Sequence, residues 1–281
     1  MAIKNILVAY NGGEASDAAL HMGVQMANKY DAHLTGIMAH GASNITRSIP
    51  KWLLGSVQDS ISDIVLKRTD EVAEKFQSFM DGELPSERIH WIDVKANPDL
   101  AVSRYARLFD VTVVGQYENL LAADELELHP DRIAYSSGRP IIVAPKSHSP
   151  ASHAAGSINE KAVVAWDGRR TASRAFFDAM HILETKSDVT IVTIGGPKTG
   201  KKQDQIDLQT IMKRHGVDAK HLFLPRTEKS IATTLLDVCK QEDAGLLVMG
   251  AYEHSKLAED IWGGVTSQVL AETHLPVFLS H

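Results

Sequence analysis

Apolar residues along this chain gather into short continuous runs, separated by stretches whose apolar positions recur at helical spacing. Lys4–Gly12, with the apolar run Ile6-Leu7-Val8-Ala9, reads as a buried strand ending in a turn. Glu14–Asn28 then carries helical spacing, and His33–Ala39 is a second strand. Between about residues 45 and 62, Pro50, Trp52 and Gly55 point to a loop or short helices. Asp63–Met80 is a helix with Ile64, Leu66, Val72, Ala73, Phe76 and Phe79 on its apolar face. Arg88–Val94 alternates like a strand, Pro98–Asp110 is a helix, Val111–Gly115 a buried strand, and Arg139–Pro145 closes the series.

After residues 147–158, whose Ser, Ala, Pro and Gly give them linker composition, the pattern starts again. Lys161–Gly168 echoes Lys4–Gly12, Asp188–Ile194 echoes the second strand, and Leu222-Phe-Leu-Pro, the helix Ser230–Lys240 and Gly245–Gly250 follow in the same order. His274–Ser280 matches the closing strand of the first half. A period of roughly 140–155 residues is too long for a solenoid and predicts a duplicated domain, residues 1–146 and 159–281. Continuous apolar strands alternating with helices signify a parallel sheet covered on both faces. The predicted fold is therefore α/β, with two tandem doubly wound, Rossmann-like domains.

Composition narrows the function classes. A net charge of −6 and a pI near 6.1 argue against non-specific binding to nucleic acid or anionic membrane. No apolar run has the length of a membrane span, and the N-terminus lacks a signal-peptide layout, so a soluble, cytoplasmic protein is expected. Cys239 is the single cysteine and reads as a buried structural thiol. The 13 histidines show no metal-ligand spacing, and His148 and His153 fall in the linker, so no metal site is expected. Gly195-x4-Gly200-Lys201 is followed by Lys202 rather than Ser or Thr, which fails the phosphate-loop pattern. Ser136-Ser137-Gly138 follows a helix-like stretch and makes no nucleophile elbow.

The candidate chemistry lies in Leu246–Gly250 and in Gly263-Gly264, which lead into Val265-Thr266-Ser267. A buried strand meeting a glycine turn, then a glycine-opened helix whose first N–H groups are unpaired, is a cradle for an anion. Ligands of open α/β sheets bind beyond the carboxyl ends of the strands. In the second half those ends are Asp167-Gly168, Ile194-Gly195 and Gly250, with Gly263-Gly264 facing them.

These residues resemble the universal stress protein family in its tandem two-domain form. The resemblance rests on the first-strand Asp167-Gly168, the late strand ending Val248-Met249-Gly250 and the closing Leu275-Pro276-Val277 strand. Nucleotide-binding members carry Gly-x2-Gly-x9-Gly-Ser/Thr after the late strand and hold ATP there. The resemblance implies Asp167 at the ribose, Ala165 and Ile194 at the adenine, and Gly250, Gly263, Gly264, Val265 and Thr266 along ribose and phosphates. The sequence departs from the motif at Glu253, where a glycine is expected, and at Gly264, where Ser or Thr is expected. The first half departs further: Asn11 replaces the acidic residue, and its cradle reads Glu127-Leu128-His129-Pro130 without a glycine.

The resemblance thus implies a cytoplasmic stress-response protein that binds ATP, with Mg²⁺ as an accompanying ion, through its second domain only. Two alternatives stand beside it: a nucleotide-free protein-interaction module, and a slow Mg²⁺-dependent ATP hydrolase. No nucleophile and base are evident, which argues against an enzyme. Expected partners are an adenine nucleotide and an unidentified protein, with the chain a pseudo-twofold monomer or a homodimer.

Overall fold

The computed structural model describes residues 3–41, 54–120, 126–148, 160–195, 206–251 and 264–281. The strands are β1 (Asn5–Ala9), β2 (His33–His40), β3 (Ile89–Lys95), β4 (Val111–Gly115), β5 (Ile141–Ala144), β6 (Lys161–Ala165), β7 (Asp188–Ile194), β8 (Ala219–Leu224), β9 (Leu247–Gly250) and β10 (Val277–Ser280). The helices are α1 (Glu14–Tyr30), α2 (Leu54–Met80), α3 (Pro98–Ala106), α4 (Pro130–Ser137), α5 (Arg170–Asp178), α6 (Met180–Leu183), α7 (Leu208–Arg214), α8 (Ile231–Gln241) and α9 (Val265–Glu272).

The two halves share one ten-stranded sheet in the order β3-β2-β1-β4-β5-β10-β9-β6-β7-β8. Read inward from either edge, the chain order of the strands is the same. Every pairing is parallel except β5 with β10, where Val143 faces Val277 and Ile141 faces Leu279. The two doubly wound halves expected from the sequence meet edge to edge, through β5 and β10. β5 and β10 are short, apolar and fully buried, and each would be an association-prone edge if left open. Pairing them removes both edges.

Alternate residues feed two core layers. Ile6, Val8, Phe76, Val164, Phe176 and Phe278 pack on one face, while Leu7, Val102, Val163, Leu235, Leu247 and Leu279 pack on the other. Continuous apolar strands are thereby buried on both sides, as a parallel sheet requires. Gln116, just past β4, ties the halves together. Its Nε2 donates to the carbonyls of Leu270 (3.0 Å) and Thr273 (3.1 Å), and its Oε1 accepts from the Lys146 amide (2.9 Å). Arg174 Nη2 donates to the Gly138 carbonyl across the same seam (2.8 Å).

Several local expectations need correction. α2 begins at Leu54 rather than Asp63. Leu54, Val57, Ile61 and Ile64 continue the helical spacing upstream, a period that Pro50 and Gly55 obscure. α3 ends at Ala106, four residues earlier than the sequence indicates. His148 is not a mobile linker residue: it is 6% exposed, with Nε2 2.9 Å from Gln25 Oε1 on α1. Residues 45–53, the remainder of the linker, and the near-phosphate-loop glycine Gly200 with Lys201 and Lys202 lie outside the described residues.

Cys239 is buried on α8, and burial pushes its thiol up to about 12, as its reading as a structural residue anticipates. Lys186 is the contrasting case, a lysine only 7% exposed. Desolvation, reinforced by the charge of Lys29 and opposed by Glu160, lowers its pKa from 10.5 to about 8. The folded state therefore binds fewer protons than the unfolded chain between those two values. This group makes stability rise with pH across that window, and its cost is fully present below about 8. Lys186→Met is expected to be more stable than wild type at pH 7, and the difference should shrink as pH climbs from 8 to 10. Urea unfolding of both proteins at a series of pH values checks the sign.

Candidate functional site

In the second half the carboxyl ends of β6, β7 and β9 open onto one side of the sheet. β6 ends at Ala165, and the turn Trp166-Asp167-Gly168 carries the chain to α5, with Gly168 at φ +77°. Asp167 Oδ1 accepts from the Arg169 amide at 3.0 Å, a local turn that shapes the approach to α5. Its carboxylate stays half exposed, with Arg169 Nε 3.7 Å from Oδ2. Ala165, Ile194 and Val265 all pack against the same apolar layer, beside Leu222, Leu224 and Ile231. The structure thus brings the expected adenine-side residues and the start of α9 onto one face.

Gly250 ends β9, and its lack of a side chain has a clear reason. A Cβ there would lie 2.5 Å from the Thr171 carbonyl carbon and 2.6 Å from the Ala172 nitrogen, in the first turn of α5. Gly264 is different. It is the N-cap of α9 at φ −109°, ψ 169°, provides no side-chain cap, and a Cβ there would meet nothing within 4 Å among the described residues. Gly264 itself therefore leaves the first turn of α9 without the side-chain cap that Ser, Thr, Asp or Asn would give. Thr266, in that first turn, is buried, and Val265 is half-buried.

A cleft of about 510 Å³ lies against this helix start, lined by Arg226, Ser230, Ile231, Gly264, Val265, Ser267 and Gln268. It runs between α9 and the N-terminus of α8, where Ser230 Oγ caps the helix by accepting from the Thr233 amide at 3.0 Å. Ala165, Asp167, Ile194 and Gly250 are not among its lining residues. Gly263, with Glu253 and His254, lies outside the described residues. Among the described residues no group of three or more His, Cys, Asp or Glu side chains converges on a metal position.

The corresponding crevice of the first half is filled by the chain itself. Asn11 Oδ1 accepts from the Gly13 amide at 3.1 Å, the same local turn that Asp167 makes, while its Nδ2 donates to the Leu126 carbonyl at 3.1 Å. Glu118 Oε2 accepts from the Ala15 amide at 3.2 Å at the start of α1, and its Oε1 lies 3.7 Å from Lys146 Nζ. Glu127 Oε1 accepts from the Leu120 amide at 3.1 Å. Asp99, 7% exposed, accepts from the His129 amide at 2.8 Å, while Oδ2 lies 3.0 Å from His129 Nδ1 and 3.4 Å from Arg132 Nη1. Tyr117 stacks on the His129 ring at 5.0 Å.

Sequence reasoning missed Glu118, Gln116 and Asp99. One signal was present for Glu118: it stands three residues after Gly115, as Glu253 stands three residues after Gly250.

Comparison with known proteins bears on the family resemblance and the fold. Residues 159–281 match the universal stress protein family. A curated universal stress protein of Synechocystis is 28% identical over 179 residues, covering 60% of this chain and 57% of that protein, so the match spans little more than half the relative's length. A universal stress protein structure from Archaeoglobus fulgidus superposes with a TM-score of 0.69 at 14% identity, covering 98% of this chain and 95% of that one. A functionally unknown protein of Pseudomonas aeruginosa follows at 0.57 and 12% identity, covering 99% and 92%. At such identities these two structures speak for the fold. No helix among the described residues is long and apolar enough to cross a membrane. The chain thus resembles the universal stress protein family through residues 159–281, and over nearly its whole length it has the fold of a solved universal stress protein.

Proposed function

We propose that this protein is a cytoplasmic stress-response regulator built from two tandem domains, 1–146 and 159–281, joined by residues 147–158. In this reading only the second domain takes an adenine nucleotide. The observation that carries it is the contrast between the two helix starts. α9 begins at Gly264, with no described atom within 4 Å of where a side chain would start, whereas its counterpart α4 begins at Pro130, which has no amide to offer, behind His129, whose amide is already given to Asp99. A helix N-terminus favours a phosphate through its first amides and its dipole.

Ala165, Ile194 and Val265 supply the apolar side on which a base would rest, and the half-exposed Asp167 carboxylate suits ribose hydroxyls. Gly263, Gly264, Val265 and Thr266 would follow the phosphates, with Gly250 shaping the turn beneath them. A Mg²⁺ ion would arrive with the triphosphate and neutralise part of its charge. Binding would act by changing conformation or partner rather than by turnover.

The experiment is to release bound small molecules from the purified protein with acid and identify them by mass. About one adenine nucleotide per chain is the expected result. Two per chain would overturn the exclusion of the first domain. An empty protein that also gains no thermal stability from ATP·Mg²⁺ would leave the interaction-module reading in its place.

A further inference from the structure

The outward side of α3 carries apolar residues that its core contacts do not use. Leu100, Arg104, Arg107 and Leu108 stand at i, i+4, i+7 and i+8, so they share one side of the helix and of the turn that ends it, where the Leu108 amide donates to the Tyr105 carbonyl (2.9 Å). All four are exposed, Leu100 by 66% and Leu108 by 78%. Val102 and Ala106, on the other side, supply the core. α4 packs on the same core layer through Ile133 and Ala134, and presents Tyr135, 48% exposed.

The arginines here keep their charge. Arg107 Nη2 donates to the Ser136 carbonyl in the last turn of α4 (3.0 Å), and Arg139 Nε and Nη2 donate to the Phe109 carbonyl (3.2 and 3.1 Å). These bonds seat both guanidinium groups at the junction of the two helices, but a neutral carbonyl cancels no charge. The neighbouring carboxylates are engaged elsewhere. Asp99 is buried against His129 and Arg132, and Asp110 accepts from the Lys4 and Asn5 amides (2.8 and 2.9 Å). Asp131 lies in the first turn of α4, away from the last turn where Arg107 is seated.

The fold does not require this surface. α3 and α8 are capped alike, with Asn97 Oδ1 accepting from the Leu100 amide (3.1 Å) and Ser230 Oγ from the Thr233 amide (3.0 Å). Counted from those caps, Thr233, Asp237, Lys240 and Gln241 take the places of Leu100, Arg104, Arg107 and Leu108. All four are polar, and Asp237 is paired with Lys229 at 2.7 Å.

We propose that the outward face of α3 and α4 docks an acidic segment of a partner protein, with its apolar side chains against Leu100, Leu108 and Tyr135 and its carboxylates on Arg104, Arg107 and Arg139. Exposed leucines beside uncompensated arginines are complementary to a segment that intersperses apolar and acidic residues. Tyrosine and arginine are also the residue types that most often carry the energy of protein interfaces. A second copy pairing through the same face does not suit it, since arginine would then meet arginine. A nucleic-acid chain suits it less than an acidic segment does. The net charge of −6 repels a long polyanion, and the leucines offer it no hydrogen bond. The surface is independent of the nucleotide reading.

The test is selection from a displayed random-peptide library on the full chain. The recovered peptides are then titrated by fluorescence anisotropy against wild type, Arg104→Glu, the double variant Leu100→Ser/Leu108→Ser, and Phe223→Ser, which removes an exposed aromatic on β8 instead. Every substituted side chain is exposed, so unchanged melting temperatures are expected and separate loss of the surface from loss of the fold. The expected result is enrichment of Asp and Glu among the recovered peptides. Their affinity should fall by roughly tenfold or more in Arg104→Glu and in the double variant, hold in Phe223→Ser, and weaken with added salt. Recovery of no peptide, recovery without acidic enrichment, or undiminished affinity in the variants overturns the proposal. So does a single-stranded oligonucleotide or a phosphatidylserine vesicle that binds wild type more tightly than any recovered peptide and is lost in Arg104→Glu.

Discussion

Gly115→Ala is expected to lower the melting temperature by roughly 6–12 °C with no ligand present, and Gly250→Ala to act in the same direction. The reason is backbone against backbone. A Cβ on Gly115 would stand 2.2 Å from the Ala15 carbonyl oxygen and 2.4 Å from its carbon. Neither atom belongs to a side chain that can swing away. β4 is fixed between β1 and β5 in the middle of the sheet, so the strain falls on the first turn of α1. Overpacking of this kind costs about 3 kcal/mol at the upper end of its usual range. Gly250 meets the first turn of α5 at 2.5–2.6 Å, a slightly wider approach and a slightly smaller expected loss. Thermal unfolding of the nucleotide-free proteins, followed by circular dichroism, reads both. If Gly250→Ala melted like wild type and lost only nucleotide, the glycine would be serving the ligand rather than the helix.

That pair of glycines also shows what a sequence can and cannot disclose. Strands ending at Gly115 and Gly250 were legible because a run of Val, Leu and Met stopping at glycine is a local pattern. The reason for the glycine was not legible, since the clash partner lies about a hundred residues away for Gly115 and nearly eighty for Gly250. The same limit hid Glu118. Its carboxylate caps α1 across 103 residues, and no spacing rule reaches that far. Gln116 binds α9 across 154 and 157 residues. Parallel order within each half followed from alternation of strands and helices. The fusion of the halves into one sheet did not, because it depends on two short apolar edges meeting in space.

The candidate site divides in the same way. The glycine-opened helix was readable at Gly264, and so was the departure of the first half from the phosphate-binding pattern. The positive content of that first crevice was not. It is a set of carboxylates, Glu118, Glu127 and Asp99, each already accepting backbone amides. The helix of that cradle, α4, starts at Pro130, which has no amide, behind a His129 amide already given to Asp99, and so has little left to offer a phosphate.

Gly264 provides the sharpest separation of folding from binding. Its backbone already sits in the extended region that N-cap residues adopt, and none of the described residues stands within 4 Å of a new Cβ. Gly264→Asp should therefore fold without strain, and its carboxylate can accept an amide from the first turn of α9. The gain is a few tenths of a kcal/mol, up to about 1, so the melting temperature should hold or rise slightly. Nucleotide binding should move the other way. The new carboxylate would occupy the amides that the phosphate needs and repel its charge, an unfavourable term of about 4 kcal/mol for two unit charges 4 Å apart near a protein surface. Affinity for ATP·Mg²⁺ is expected to fall at least a hundredfold. Gly264→Ser tests the opposite sign at the same atom. It adds one neutral hydroxyl, which can donate to a phosphate oxygen, and a single hydrogen bond of about 1 kcal/mol predicts severalfold tighter binding. Equal affinities across glycine, serine and aspartate, with all three proteins folded, would remove the start of α9 from the phosphate path and with it the observation on which the nucleotide reading rests.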